Sequence, residues 1–196
     1  MKKNLIISVL MTIVTTILLG LVYPLVVTVL AQVIFPKQAN GQLIQKNGVI
    51  VGSRIIGQGF SGASYFHPRP SATTVPFDAA NSAGSNLGPT NQKLIDRVKQ
   101  DVSALQAENP NQPVPIDMVT TSASGFDPHI SPAAAEFQLP RVAKERGMAV
   151  DQLRQLVTKY TEGRQFGFFG EPRVNVLELN LDLDQHYPVN KQAQKE

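Results

Sequence analysis

The sequence predicts an α+β fold: one N-terminal transmembrane helix, then a single soluble domain with a small mixed or antiparallel sheet and about three helices. Three observations support this class. Residues 5–35 form a run of 31 residues without a charged side chain. The polar remainder contains stretches with the 3.6-residue apolar spacing of helices and shorter apolar bursts typical of strands. After the apolar run about 150 residues remain, which is the usual size of one domain.

The apolar run is long enough to span a bilayer, because twenty of its 31 residues are Leu, Ile, Val or Phe and a span needs about 20 apolar residues. A cleaved signal peptide is the alternative, and residues 29–31 resemble a cleavage site, but the apolar part of a signal peptide is only about 7–15 residues long. The helix is expected to leave the hydrocarbon near Tyr23 and Pro24, where the proline can kink it. A tilted helix in which the proline has no special role is an equally good reading. Residues 26–35 then pack on protein.

Positive charge predicts the orientation of this span. Lys2, Lys3 and the terminal amine lie at one end, and only Lys37 and Lys46 oppose them. The positive-inside rule therefore favours a cytoplasmic N-terminus in the inner membrane. The predicted organisation is a cytoplasmic N-terminus and transmembrane helix over residues 1–36, and a periplasmic α+β domain over residues 37–196.

Composition excludes several function classes. Eighteen Lys and Arg face fifteen Asp and Glu, and without Lys2 and Lys3 the net charge of the chain is only +1. Without a basic cluster on a predicted helix, this balance argues against nucleic-acid binding. The chain has no cysteine, which excludes thiol catalysis, cysteine-ligated zinc and disulfides. A reducing cytosol and a disulfide-poor periplasm both permit that composition.

The first part of the predicted domain contains little regular structure. Residues 49–51 and 54–56 read as two short strands that Gly52 and Ser53 join in a hairpin. Between residues 61 and 90, fourteen of thirty positions are Gly, Ser, Pro or Asn, the composition of a disordered linker. The segment also carries aromatic side chains and an arginine, so ordered surface loops that form a binding face are favoured.

A helix is predicted from Thr90, its N-cap, to Asn109, because five apolar side chains of this stretch share one helical face. They are Leu94, Ile95, Val98, Val102 and Leu105. Residues 116–120 then fit a strand. The glycines in "GSNLGPTN", residues 84–91, precede a helix N-terminus that could receive an anion. That signal is weak, and an ordinary loop that enters a helix is the favoured explanation.

The octapeptide "GFDPHISP", residues 125–132, places a carboxylate, an imidazole and a hydroxyl at Asp127, His129 and Ser131. We interpret it as a turn that leads into a helix. Proline at position 128 disfavours helical geometry at Asp127, which suits an Asx turn, and Ser131 is the N-cap. Catalytic triads usually gather side chains from separate loops, and the three histidines of the chain have no metal-ligand spacing.

Three further elements complete the domain. The helix that Ser131 caps begins with Pro132, is expected to bend at Pro140 and ends at Gly147. Another helix covers residues 150–162. Leucines alternate with polar residues over positions 177–183, which predicts a half-buried strand.

Five segments together resemble a known family. The chain is similar in their order and spacing to KdpC, the C subunit of the bacterial Kdp potassium-transporting ATPase. The segments are "YP" at 23–24, "YFHPRPSA" at 65–72, "GSNLGPTN" at 84–91, "TSASGFDPHISPAAAEFQLPRVA" at 121–143 and "GEPRVNVLELNLDL" at 170–183. Two departures are slight: Ala83 stands where the family often has glycine, and Phe126 where leucine is common.

The resemblance implies an accessory subunit of an ATP-driven, high-affinity potassium importer. Its partners would be a channel-like subunit, a P-type ATPase subunit and a small hydrophobic subunit. The family is described as a catalytic chaperone that raises the ATP affinity of the pump subunit. A periplasmic domain cannot reach cytosolic ATP across about 30 Å of hydrocarbon, so no cofactor is firmly expected here, and any effect of ATP would pass through the complex.

The resemblance and the residue types together suggest where partners bind. The predicted partner contacts are Tyr23, Pro24, Tyr65, Phe66, Arg69, Ser85, Asn86, Asp127 and His129, because aromatic and arginine side chains are enriched in interfaces. The alternative is that the aromatics fill the domain's own core and that Arg69 pairs with a nearby acid. The alternative function is a membrane-anchored periplasmic hydrolase using Ser124, Asp127 and His129. An ion-binding protein that acts alone would need clustered carboxylates, and the pair Asp182 and Asp184 is too small for that.

Overall fold

The structure is a computed structural model that describes residues 1–189. Contacts divide the chain into two units, Met1–Ser53 and Arg54–Glu196. The fold is mixed α+β with one long apolar N-terminal helix, as the sequence predicts. The assignment of a membrane part up to residue 36 and a periplasmic part beyond it stays a prediction.

The first unit begins with a continuous helix, Lys2–Ile34, of 33 residues, long and apolar enough to cross a membrane. It comprises α1 (Lys2–Ile17), a π-helical turn (Leu18–Val22) and α2 (Tyr23–Ile34). Pro24 explains the π turn, since its nitrogen cannot donate to the preceding turn and its ring crowds the carbonyl there. The helix therefore changes its hydrogen-bond pattern where the sequence predicts a kink.

A short helix α3 (Pro36–Ala39) and a hairpin complete this unit. The hairpin pairs β1 (Leu43–Lys46) with β2 (Val49–Ser53) in antiparallel fashion. The prediction of strands at 49–51 and 54–56 was wrong for the second strand. The turn is Asn47-Gly48, with φ of 52° and 78°, and Asn-Gly is the strongest short hairpin signal because both positions need positive φ.

Within its described residues, 54–189, the second unit holds a three-stranded antiparallel sheet and four α-helices. The sheet has the order β3-β5-β4. Its strands are β3 (His129–Ile130), β4 (Thr161–Glu162) and β5 (Arg173–Asn175), and the helices are α4 (Gln92–Glu108), α5 (Pro132–Arg146), α6 (Val150–Lys159) and α7 (Val176–His186).

Three of these helices confirm predictions. In α5 the Ser131 hydroxyl accepts a hydrogen bond from the Ala134 amide at 3.0 Å, and Gly147 ends the helix with a φ of 63°. The N-cap of α4 is Asn91, one residue after the predicted Thr90. Helix α6 stops at Lys159 because the next residues, Thr161–Glu162, pair with β5.

Two predicted strands are helical. Residues 116–120 contain a 3₁₀ helix, Ile116–Met118. Met118 and Val119 are both buried, and two adjacent buried side chains do not suit a strand, in which successive side chains point to opposite faces.

The leucine-rich stretch 177–183 belongs to α7. The Asn175 side chain accepts a hydrogen bond from the Glu178 amide at 3.0 Å, which makes Asn175 the N-cap. Asn followed three residues later by Glu is a helix-start signature. Leu179 and Leu183 lie four residues apart on the buried face of this helix. The strand predicted for residues 177–183 was therefore wrong, although leucines occur there at every second position.

The core lies between α5, α6, α7 and β5. Phe66, from the loop segment of residues 61–90, fills part of the core and is completely buried. Its other buried members are Met118, Ile130, Ala134, Ala135, Leu139, Val142, Ala143, Leu153, Val157, Val174, Val176, Leu179 and Leu183.

Candidate partner-contact site

Two buried amides hold the predicted binding loop in place. Asn180 on α7 accepts from the Phe66 amide at 3.0 Å and donates to the Phe66 carbonyl at 2.9 Å. Gln138 on α5 accepts from the His67 amide at 2.7 Å and donates to the His67 carbonyl at 3.1 Å. These side chains do for the loop what a neighbouring strand would do, because they satisfy its buried backbone groups. The segment at residues 66–67 is therefore ordered without regular secondary structure.

The side chains of Tyr65 and Phe66, two predicted partner contacts in this loop, both have partners inside the unit. Phe66 fills the core, the alternative that the sequence left open, and its buried side chain offers no surface to a partner in this conformation. The Tyr65 hydroxyl donates to Asp184 at 3.1 Å, and the Arg146 guanidinium lies 5.0 Å from the Tyr65 ring centre. Burial and the hydrogen bond to Asp184 raise the pKa of Tyr65.

Two arginines of α5 donate hydrogen bonds to the backbone carbonyls of residues 63–65. Arg146, whose side chain is fully buried, donates to the Ser64 carbonyl at 2.6 Å and pairs with Asp184 at 2.9 Å. Arg141 donates to the carbonyls of Ala63 at 2.7 Å and Tyr65 at 2.8 Å. Helix α5 thus fixes the loop with charge-assisted hydrogen bonds, which are stronger than neutral ones.

The octapeptide residues form the expected turn. Asp127 accepts from the His129 amide at 3.0 Å, which confirms the Asx turn, and pairs with Arg69 at 3.1 Å. Burial raises the pKa of the Asp127 carboxyl, but the nearby His129 ring, the hydrogen bond from the His129 amide and the charge of Arg69 outweigh it and hold that pKa below its usual range. Arg69 also donates to the carbonyls of Thr120 and Thr121, both at 3.3 Å. Arg69 therefore has the intramolecular acid that the alternative reading named.

A cleft of about 560 Å³ opens beside this turn, lined by Arg69, Asp117, Asp127, His129, Ser131 and Arg173 among others. Its acids are already engaged: Asp117 accepts from the Ser131 amide at 2.7 Å and from the Ser131 hydroxyl at 3.0 Å. Within residues 1–189, no group of three or more His, Asp or Glu side chains is arranged to hold a metal ion. The cleft offers hydrogen-bonding groups whose positions are fixed by the fold.

The residues of the rival hydrolase do not form a relay. The Ser124 hydroxyl lies 3.2 Å from the Ser122 hydroxyl and accepts from the Phe126 amide at 3.4 Å. The His129 Nδ1 atom is 3.7 Å from Asp127, beyond hydrogen-bond distance. A nucleophile that a histidine is to activate needs a direct contact of about 2.6–3.2 Å with it.

Close backbone approach explains two glycines near the turn. At Gly125, which has a φ of 79°, an added Cβ would lie 2.6 Å from the Thr73 side chain and 2.7 Å from the Ala83 carbonyl oxygen. At Gly57, a Cβ would lie 2.5 Å from the Asp127 carbonyl oxygen. Only glycine fits at such distances, so these loops pack backbone against backbone.

The remaining predicted contacts lie elsewhere. Ser85 is half-buried, and Asn86 is exposed with a φ of 52°. Tyr23, 62% exposed, and Pro24 lie on α2 in the first unit. The structure brings Arg69, Asp127 and His129 to one cleft. Contact of any of these residues with a partner stays a prediction.

Sequence reasoning missed the buried polar residues that hold the loop. Gln138 and Asn180 are both 0% exposed, and each occupies a core-facing position of a helix. An amide on an otherwise apolar helical stripe was the available signal, because a buried amide needs partners. It also missed Arg54, which pairs with Glu178 at 3.0 Å and, more closely, with Glu162.

Comparisons with known proteins identify the family of this chain. The profile of the KdpC family, described as "K+-transporting ATPase, c chain", matches residues 5–185. A relative from Koribacter versatilis, "Potassium-transporting ATPase KdpC subunit", is 70% identical over 189 residues, 96% of this chain and 98% of the relative. Proteins of the same description from Rhodopseudomonas palustris and Bradyrhizobium diazoefficiens are 60% and 53% identical, over 86% and 90% of this chain and 91% and 94% of theirs. The chain belongs to the KdpC family, the C subunits of potassium-transporting ATPases.

Proposed function

We propose that this chain is a single-span accessory subunit that assembles and stabilises the channel-like and P-type ATPase subunits of a potassium uptake complex, together with the small hydrophobic subunit. The observation that carries the proposal is the family match over residues 5–185, which includes both the apolar helix and the polar unit. The subunit acts through binding and has no active centre of its own.

The length of the apolar helix supports a partner inside the membrane. Its 33 residues extend about 50 Å at 1.5 Å per residue, whereas the hydrocarbon core is about 30 Å thick. None of its residues is buried, and nearly all are exposed. The surplus apolar turns need protein cover, so the helix docks along another subunit, with Tyr23 and Pro24 at the π turn among its contacts.

The extramembrane unit lies in the periplasm in this proposal, with the N-terminus in the cytoplasm. Since the chain has no native cysteine, the Ala79→Cys variant can be treated with a membrane-impermeant maleimide in intact cells. Ala79 is exposed, and we expect labelling without lysis. The matched variant Lys3→Cys should be labelled only after lysis. The reverse pattern would contradict the orientation.

Assembly is tested by purifying the complex through a tag on the P-type ATPase subunit, from cells with and without this chain. We expect the channel-like subunit to be lost from the preparation when the chain is missing. Recovery of an equally stable complex without it would refute the accessory role.

The effect on ATP is proposed to be indirect, conveyed by the assembled subunits. The purified complex should show a lower KM for ATP with this chain than without it, while the chain alone in nanodiscs should not be labelled by a photoreactive ATP analogue. Labelling of the isolated chain would instead indicate direct nucleotide contact. The His129→Ala variant should leave the turnover of ATP per assembled complex unchanged, because His129 has no catalytic role in this proposal.

A further inference from the structure

A second aromatic loop lies between β4 and β5. In "RQFGFFG", residues 164–170, Gln165 and Phe169 pair through two backbone hydrogen bonds of 2.9 Å each. The residues between them form a tight turn, from which Phe166, Phe168 and Phe169 project with exposures of 87%, 64% and 58%. The rings of Phe168 and Phe169 lie 4.2 Å apart. We call these three residues the aromatic tip.

The turn is strained in a way that favours a function for its side chain. Phe166 has a φ of 53° and Gly167 a φ of 82°. Glycine, asparagine and aspartate are the residues that such positions prefer, and a bulky residue there is an outlier. A phenylalanine that costs stability and contacts no core is explained if its ring is needed outside the unit.

The aromatic tip is also the main apolar patch of the second unit. Among residues 54–189, eight large hydrophobic side chains are exposed, and three of them lie within the four positions 166–169. The other five are scattered singly, which is normal for a protein surface. A contiguous cluster of exposed aromatic rings marks an interaction site.

The charges around the aromatic tip favour a protein partner over lipid. The four nearest charged residues in sequence are Glu162, Arg164, Glu171 and Arg173, and their sum is zero. They also pair with each other, Arg164 with Glu171 at 2.7 Å and Arg173 with Glu162 at 2.8 Å. Segments that bind membrane surfaces carry additional basic residues that attract anionic lipid. The residues that flank the aromatic tip have no such surplus of positive charge. A neutral, rigid knob suits a shaped apolar pocket.

We propose that the aromatic tip docks into an apolar pocket on an extramembrane surface of another subunit of the potassium-transporting ATPase. This inference rests on the proposed accessory function and names where the polar unit engages the complex. Because the backbone hydrogen bonds preorganise the turn, docking costs little conformational entropy.

The main test is retention of the chain in the assembled complex. The triple variant Phe166→Ser, Phe168→Ser, Phe169→Ser should be retained less well on washing, with binding roughly tenfold weaker for each ring that the pocket buries. The control is Val150→Ser, which removes an isolated side chain that is 38% exposed at the start of α6 and should be retained like the wild type. Equal retention of the triple variant would overturn the inference but leave the accessory role intact. A complex that forms without any of this chain would instead refute the accessory role.

The single variant Phe166→Asn separates docking from folding. Asparagine tolerates positive φ, so the melting temperature of the chain should rise by a few degrees while its retention falls. A turn residue with a purely structural role would leave retention unchanged, and that outcome would count against the proposal.

The lipid alternative is tested with the full chain alone in nanodiscs. The chain has no tryptophan, so the Phe168→Trp variant carries a single tryptophan, which lies at the tip and can be excited selectively. We expect brominated lipids to quench it no more than they quench Val150→Trp, the matched variant at an exposed position of α6. Selective quenching at position 168 would assign the aromatic tip to the bilayer surface and overturn the inference.

Discussion

Phe66 and Phe168 both lie outside regular secondary structure in the second unit, yet Phe66 is 0% exposed and Phe168 is 64% exposed. The difference lies in the partners of their backbones. The Phe66 amide and carbonyl both bond to Asn180, which is 114 residues away, so the loop is held against the core. The backbone of the aromatic tip bonds only within its own turn. An aromatic residue in a loop therefore does not by itself identify a partner surface.

The largest expected effect contrasts these two residues. Phe66→Ala should lower the free energy of unfolding by about 3–5 kcal/mol, because it leaves a cavity in the core. Phe168→Ala should change it by less than about 0.5 kcal/mol, because it alters only the surface. Urea unfolding of the full chain in nanodiscs, followed by tyrosine fluorescence, measures both. Equal losses of unfolding free energy in the two variants would contradict this difference between Phe66 and Phe168.

We call the Asn180 side chain, with its two hydrogen bonds to the Phe66 backbone, the amide clamp. The next effect tests whether this clamp orders the loop. Asn180→Leu keeps much of the volume but leaves the Phe66 amide and carbonyl without partners, at a cost of about 2–4 kcal/mol. Gln155→Leu, on the exposed face of α6, is the matched control and should have little effect. Equal stability of Asn180→Leu and the wild type would show that water or other groups replace the clamp.

The smallest expected effect is the pH dependence of stability that His67 contributes. Burial, and then the charge of Arg141, lower the pKa of His67. The unfolded chain therefore binds more protons than the folded one between the folded pKa and about pH 6.5. The stabilisation is complete above that pH and is lost as the pH falls through the window, so urea midpoints should decrease from pH 7.5 to pH 5. His67→Gln should flatten this decrease, and identical slopes would contradict the assignment.

Local patterns predicted several features of this chain from few residues. The Ser131-Pro132 cap, the Asx turn at Asp127 and the disturbance of the helix near Pro24 each depend on neighbours within a few positions. The failures were of two kinds. The Asn47-Gly48 turn was a local signal that went unused, and the strand predicted for α7 followed leucine alternation although Asn175 and Glu178 marked a helix start.

The sequence by itself determined the apolar helix, the boundaries of α5 and the family, because these depend on composition, on caps and on unusual strings that need no knowledge of distant contacts. Only the tertiary structure decided which aromatic rings point inward. Phe66 is buried because Asn180 and Gln138, on two distant helices, satisfy the backbone at Phe66 and His67. The rings at 166–169 stay outside because their turn satisfies its own backbone and needs no cover from the core.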